Sequence, residues 1–322
     1  MPGLLITVRL LLGGLELNIL LIIVAILLFA GQTLSMKLIR AQHLRDRLLI
    51  NAGFTLIASA GLLLFSLVQP DIRQISVNTW VLGSLFGLCF TLTIIFYNLA
   101  ISTGPLSYTA FYFSASMIIP ALTGIAAFGE ALKLTVVVAV LLFLAAFYFI
   151  NKNPDNSEPR GHADPVRNGS RSRWKLYCLL TFLSNGMLAV IQRFHQFRME
   201  GTESKGLMLV GFLFACLFYT LTYTVLAVRG NKKERLSLSR ESALLYQNIL
   251  PLLLLAATSL MGNLILTYLA GVVPSSYLFP LVQGSMIVSI TLCSVLIFRE
   301  KLSRLGRIGI SLGVLAIVVI NL

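Results

Sequence analysis

"YNLAISTGPLSYTAFYFSASMIIPALTGIAAFGEALK" spans Tyr97–Lys133, and "YLAGVVPSSYLFPLVQGSMIVSITLCSVLIFREKLS" spans Tyr268–Ser303. Pro105, Ser107, Tyr108, Ser116, Met117 and Ile118 of the first stretch return at identical spacing as Pro274, Ser276, Tyr277, Ser285, Met286 and Ile287 of the second. After a slip of one position, Glu130 and Leu132 return as Glu300 and Leu302. A match this dense, about 170 residues apart, marks an internal repeat. What is repeated follows from the surrounding chain.

Of the 322 residues, 57% are hydrophobic and 11% charged. A soluble domain is about a quarter charged. Too few charges remain to cover a water-facing surface, so the solvent of this chain is mostly lipid. Crossing a hydrocarbon layer about 30 Å thick takes about 20 apolar residues as helix. Ten runs fit: 17–36, 48–69, 79–101, 106–128 and 132–150, then 176–193, 207–228, 245–270, 275–298 and 305–321. The predicted organisation is an N-terminal extension 1–16, a first five-helix repeat 17–150, a polar flexible linker 151–173, and a second five-helix repeat 174–322. The linker is polar, carries three prolines and lacks apolar periodicity. The extension is read as lying at the membrane surface. Arg9 interrupts its apolar run and no signal-cleavage pattern follows.

Five is odd, so the second unit enters the membrane in the opposite sense to the first. The expected fold class is an all-α integral membrane protein, ten transmembrane helices arranged as two inverted five-helix repeats. Such a pair of units creates a site near the midplane that either side reaches in turn when the halves rock.

Here the chain resembles the drug/metabolite transporter superfamily, in particular its ten-helix EamA-like members. The resemblance covers about residues 17–322. It rests on the five-plus-five plan and on two copies of a fourth-helix pattern, ending in "FGEALK" and "FREKLS" before a short final helix. "FAGQTLSMKLIR" and "FLSNGMLAVIQR" are weaker counterparts in the first helix of each half. The resemblance implies alternating access, with amino acids and related metabolites as first candidate substrates. It also implies both termini in the cytoplasm. Small multidrug-resistance relatives carry a first-helix glutamate, but the corresponding stretch here has Gln32 and no acid. That departure speaks against organic-cation antiport through a buried carboxylate.

Neutral polar residues recur on helical faces: Ser84, Thr91 and Asn98 every seven; Tyr108, Tyr112 and Ser116 every four; Ser259, Asn263 and Thr267 every four; then Tyr277, Gln283 and Ser285. Lipid does not solvate such groups, so they are expected to face the bundle. Two readings stay open. Hydroxyls and amides join helices at about 0.6 kcal/mol per bond, or they line a substrate cavity. The substrate-binding candidates are Gln32, Asn98, Tyr108, Tyr112, Ser116, Asn263, Tyr277, Gln283 and Ser285. For the amides the cavity reading gains weight, because an unpartnered buried amide costs about 1–3 kcal/mol. Pro120 and Pro280 are candidate hinges, since each removes a backbone donor within a helix. Glu130 and Glu300 stand just before a helix, where a carboxylate caps the positive end or serves as a gating contact.

The net charge of +13 could mean nucleic acid, but with this hydropathy it reads as loop Lys and Arg on the cytoplasmic side. Cys89, Cys178, Cys216 and Cys293 lie in apolar runs without CxxC spacing, and the three histidines are scattered. No metal, catalytic residue or cofactor is therefore expected. The partners expected are a small-molecule substrate and the lipid bilayer, with a possible homodimer through the glycines of the last helix, "GISLG". The leading function is export of a small polar or amphipathic metabolite by a multi-pass protein of the bacterial inner membrane. The alternative is a membrane-embedded enzyme acting on a lipid-linked substrate. Placing ten helices puts nineteen of the 25 Lys and Arg on the side of the linker, opposite the termini. The charge rule thus makes the linker cytoplasmic and the termini external, against the family pattern.

Overall fold

The computed structural model describes residues 2–41, 44–68, 75–104, 106–151, 168–229, 238–298 and 304–322. Among these, every regular element is a helix: α1 Pro2–Leu38, α2 Leu44–Val68, α3 Val77–Thr103, α4 Leu106–Ala115, α5 Ile118–Phe128 and α6 Leu134–Asn151. The second half follows as α7 Asn168–Arg198, α8 Ser204–Arg229, α9 Leu238–Gln247, α10 Ile249–Val272, α11 Ser275–Phe298 and α12 Arg304–Ile320. Seven stretches of the described residues are long and apolar enough to cross a membrane. They are Glu16–Met36, Leu44–Ser66, Val77–Thr103, Thr109–Phe128, Ser172–Arg198, Ser204–Val228 and Ile249–Val272. The protein is an all-helical, multi-pass membrane protein.

Its exterior is apolar. Leu20, Ile23 and Leu27 point outward from α1, about a turn apart, with Leu27 61% exposed. Only lipid tolerates such a face without cost. The interior holds two apolar clusters. One joins α2, α3, α8 and the start of α10 around Phe54, Phe86, Phe212 and Tyr219. The other joins α6, α11, α12 and the end of α10 around Phe143, Phe147 and Phe279.

Close helix approaches rest on glycine. A Cβ at Gly87 would overlap the Gly211 carbonyl and the Ala215 amide, so α3 lies directly on α8. A Cβ at Gly313 would strike Val288, and Gly306, Gly309 and Gly313 are all buried. The glycine face of α12 therefore meets α6 and α11 inside the chain. The glycines of the last helix are thus used within the chain, and Ile308, Val314 and Val318 lie exposed on its other side.

Four boundaries differ from the sequence reading. Helix α1 runs unbroken from Pro2, so residues 2–16 extend the first span instead of lying apart from it. Its 37 residues make a rod of about 55 Å. The predicted run 106–128 is two helices, interrupted at Ser116–Met117. Run 245–270 starts as α9, turns at Asn248 and continues as α10, with Pro251 in the first turn. Residues 168–173 of the predicted linker are helical, within α7; residues 152–167 lie outside the described residues.

Candidate functional site

Between the two apolar clusters lies a cavity of about 490 Å³. Helices α1, α2, α3 and α4 line it from the first half, and α7, α10 and α11 from the second. Its walls alternate aromatic rings, among them Phe29, Phe90, Tyr97, Phe113 and Phe279, with amides. Gln32, Asn98, Asn263 and Gln283 all face it. Asn51, Asn185 and Gln192 add three amides that the sequence reading did not select. Asn185 takes the place of Gln32 when "FLSNGMLAVIQR" is laid on "FAGQTLSMKLIR". Gln192 follows it at seven residues, a signal available from spacing alone.

Several amides are tied to the scaffold. Asn98 donates to Ile94 O at 2.7 Å and accepts from Arg47 Nη1 at 2.6 Å. Asn263 donates to Ser259 O at 2.8 Å. Asn185 donates to Ser116 Oγ at 2.6 Å and to Phe113 O at 3.2 Å. This last contact lies at the break in the fourth run. Pro120 has no N–H for the Ser116 carbonyl, and its ring crowds that carbonyl. The helix opens there, and Asn185 from α7 takes up a carbonyl of the open turn. Gln283 Oε1 is buried and unpartnered.

The cavity reaches the end of the bundle where α1 stops and α2 begins, at Ile39, Ala41 and Arg47. The other end is sealed by four polar residues of α7 that flank Phe194. Gln192 donates to Thr267 Oγ1 on α10 at 2.9 Å. Arg193 pairs with Glu130 at 3.1 Å, donates to Ala270 O and covers the Phe128 ring at 5.3 Å. His195 meets Thr79 Oγ1 on α3 at 2.9 Å, and Gln196 accepts from Ser204 Oγ on α8 at 3.0 Å. One turn and a half of α7 thus ties α3, α5, α8 and α10 together.

Two carboxylates complete the seal. Glu130 accepts from the backbone amides of Ser275 and Ser276, each at 2.8 Å. It caps α11, in the other half, instead of the helix that follows it; this corrects the expected cap. Gly129, at φ 65°, turns the chain, and Gly124 makes room, since a Cβ there would overlap the Glu130 carboxylate. Glu203 accepts from the amide and the hydroxyl of Ser76, both at 3.0 Å, where Ser76 caps α3. Partial burial pushes Glu203 upward, but the bonds from Thr79 and Ser76 and the nearby His195 outweigh it and hold its pKa below the ordinary 4.5.

The remaining candidates are dispersed. Ser116 is buried behind the wall, in the open turn. Tyr112 is 38% exposed and points away from the cavity; the four-residue stripe assumed an unbroken helix, and α4 ends before Ser116. Tyr277 donates to Asn321 Oδ1 at 2.7 Å near the chain end, and Ser285 is buried outside the wall. The Tyr108 side chain and all of Glu300 lie outside the described residues. Ser84 bonds to its own Val81 carbonyl and does not need the bundle. Pro120 sits beside a break, whereas α11 runs unbroken through Pro280.

No family model matches the chain, and no curated protein does. A solved structure described as "Crystal structure of protein" is similar to it, with a TM-score of 0.68 over 94% of this chain and 96% of the other at 19% identity. At that identity the likeness is one of fold: the arrangement of helices, nearly end to end, is shared with a solved protein.

Proposed function

We propose that the protein is a transporter that moves a small amphipathic metabolite across a membrane by alternating access. The observation that carries this reading is a cavity walled by helices of both halves, open at one end and closed at the other by the polar segment of α7. Counting α4–α5 as one span and leaving α9 at the surface brings the total to ten, the plan of the EamA-like transporters that the sequence resembles. Helix contacts support an inverted repeat, because they occur in exchanged pairs. Contact of α3 with α7 is matched by α10 with α1, α5 with α7 by α11 with α1, and α3 with α8 by α10 with α2. Export from a bacterial cell across its inner membrane is the direction and place that this reading carries.

The test is flux in proteoliposomes, with chemical analysis of what emerges. A transporter delivers its substrate unchanged, whereas the alternative, an enzyme on a lipid-linked substrate, yields a product. Asn98→Ala releases Arg47 from its place on the wall, and Asn263→Ala and Gln283→Ala each remove an amide that faces the cargo, so flux is expected to fall about fivefold in each. Normal flux in all three removes the cavity from the argument.

A further inference from the structure

We infer that the cavity selects an organic monoanion with an apolar, aromatic-sized body, its charged end held by Arg47 and its far end by Gln283. The inference deepens the transport reading by naming the cargo class of the same cavity. Its first support is a charge census. Among the described lining residues Arg47 is the one charged side chain, and no carboxylate faces the space. A cation would enter an apolar cavity with amide dipoles alone to replace its water. A dianion would leave its second charge against phenyl and aliphatic walls. A single negative charge matches the single guanidinium.

The second support is how Arg47 differs from its neighbour. Arg45, two residues earlier, faces an acid: it lies 3.6 Å from Glu241 and over the Tyr223 ring at 5.2 Å. Arg47 turns to the cavity mouth, where Asn98 Oδ1 holds one of its nitrogens at 2.6 Å. An amide oxygen orients a guanidinium without neutralising it, so its other donors stay available to a carboxylate, which matches them in geometry. Surface-loop basicity alone does not call for an amide anchor on α3.

The third support is the far wall. Gln283 lines this wall and its Oε1 is buried without a partner, so a small turn of the amide toward the space would let a donor on the cargo complete it. Around the cavity, Phe29, Phe90, Phe113 and Phe279 offer apolar surface. The cargo therefore carries a carboxylate or similar single anion, an apolar middle, and room for an N–H or O–H donor.

Binding to the purified full chain in nanodiscs tests this with probes of one body and four charges: phenylpropanoate, phenylpropanamide, phenylpropylammonium and phenylsuccinate. By titration calorimetry the monoanion is expected to bind about tenfold more tightly than the amide, and the cation and dianion more weakly than the monoanion. Arg47→Gln should abolish the preference while amide binding stays within about twofold, and Arg47→Lys should keep part of it. Should Arg47→Gln not fold, added salt decides on the unaltered protein, because it should weaken the monoanion and spare the amide. Equal binding of the amide or the cation, a preference that survives Arg47→Gln, or no binding of any probe overturns the inference. The same probes in proteoliposomes separate the two readings. Preferred binding of the monoanion without flux keeps the anion site and rejects transport; flux of the cation or amide in preference to the monoanion keeps transport and rejects the anion site.

Discussion

Glu130 and Arg193 come from different halves of the chain and meet at 3.1 Å, both largely buried. Removing one partner of a buried pair leaves the other charge uncompensated. Glu130→Ala is expected to cost about 3 kcal/mol, measured as lowered thermal stability of the purified protein. Glu130→Gln should cost less, because its amide oxygen still accepts from the start of α11. Identical melting of Glu130→Ala and the unaltered protein would show that the seal does not depend on this pair. Glu203 gives a pH test. Its folded pKa is depressed, so its contribution is complete above the unfolded value and fades as pH falls through the folded one. Melting temperature should therefore decline as pH drops below about 4.5, and Glu203→Gln should flatten that decline. A slope unchanged by the substitution removes Glu203 as its source. At this scale the four amides on the cavity wall were legible in the sequence, since burying an amide in an apolar run needs a reason. Arg47 and Arg193 were not, because a charge near a helix end looks the same whether it faces water or an interior partner.

At the scale of elements, the break between α4 and α5 has a local cause. Pro120 withdraws the i+4 donor from the Ser116 carbonyl, which accepts instead from Ile119 N at 3.0 Å, so the interruption appears four residues earlier, at Ser116–Met117. Pro120→Ala restores an N–H there. The expected result is a gain in thermal stability, up to about 3 kcal/mol, together with slower flux in proteoliposomes if the open turn serves as a hinge. Unchanged stability and flux would leave the break to the packing of α7, whose Asn185 holds the opened turn. Helix α9 shows the opposite balance. Its ten residues are tied to the start of α2 through Arg240–Asp46 and Arg45–Glu241, and Tyr246 is 80% exposed. It reads as a segment lying along the membrane surface before α10 enters.

For the whole molecule the open question of direction is one of charge. The cavity opens at the end of the bundle to which the ten-helix reading assigns nineteen of the 25 Lys and Arg. Basic loops stay in the cytoplasm, so the conformation is expected to face inward with both termini outside. A C-terminal fluorescent fusion measures this: the tag should stay dark outside the inner membrane, and a bright cytoplasmic tag reverses both the orientation and the facing of the cavity.

The sequence by itself determined the lipid environment, the helical class and the near-identity of the two stretches around Pro105 and Pro274. Those properties are sums over many residues or depend on spacing along the chain, so they survive without knowledge of any contact. Tertiary structure alone decided that Gln32, Asn98, Asn263 and Gln283 share one cavity while Tyr112 and Tyr277 do not. It also decided that Glu130 caps α11 across the interface between the halves, and that Gln192, Arg193, His195 and Gln196 close one end. The physical reason is that polar groups in an apolar medium must find partners, and which partner lies within hydrogen-bond reach is a matter of how helices cross, which no single helix encodes.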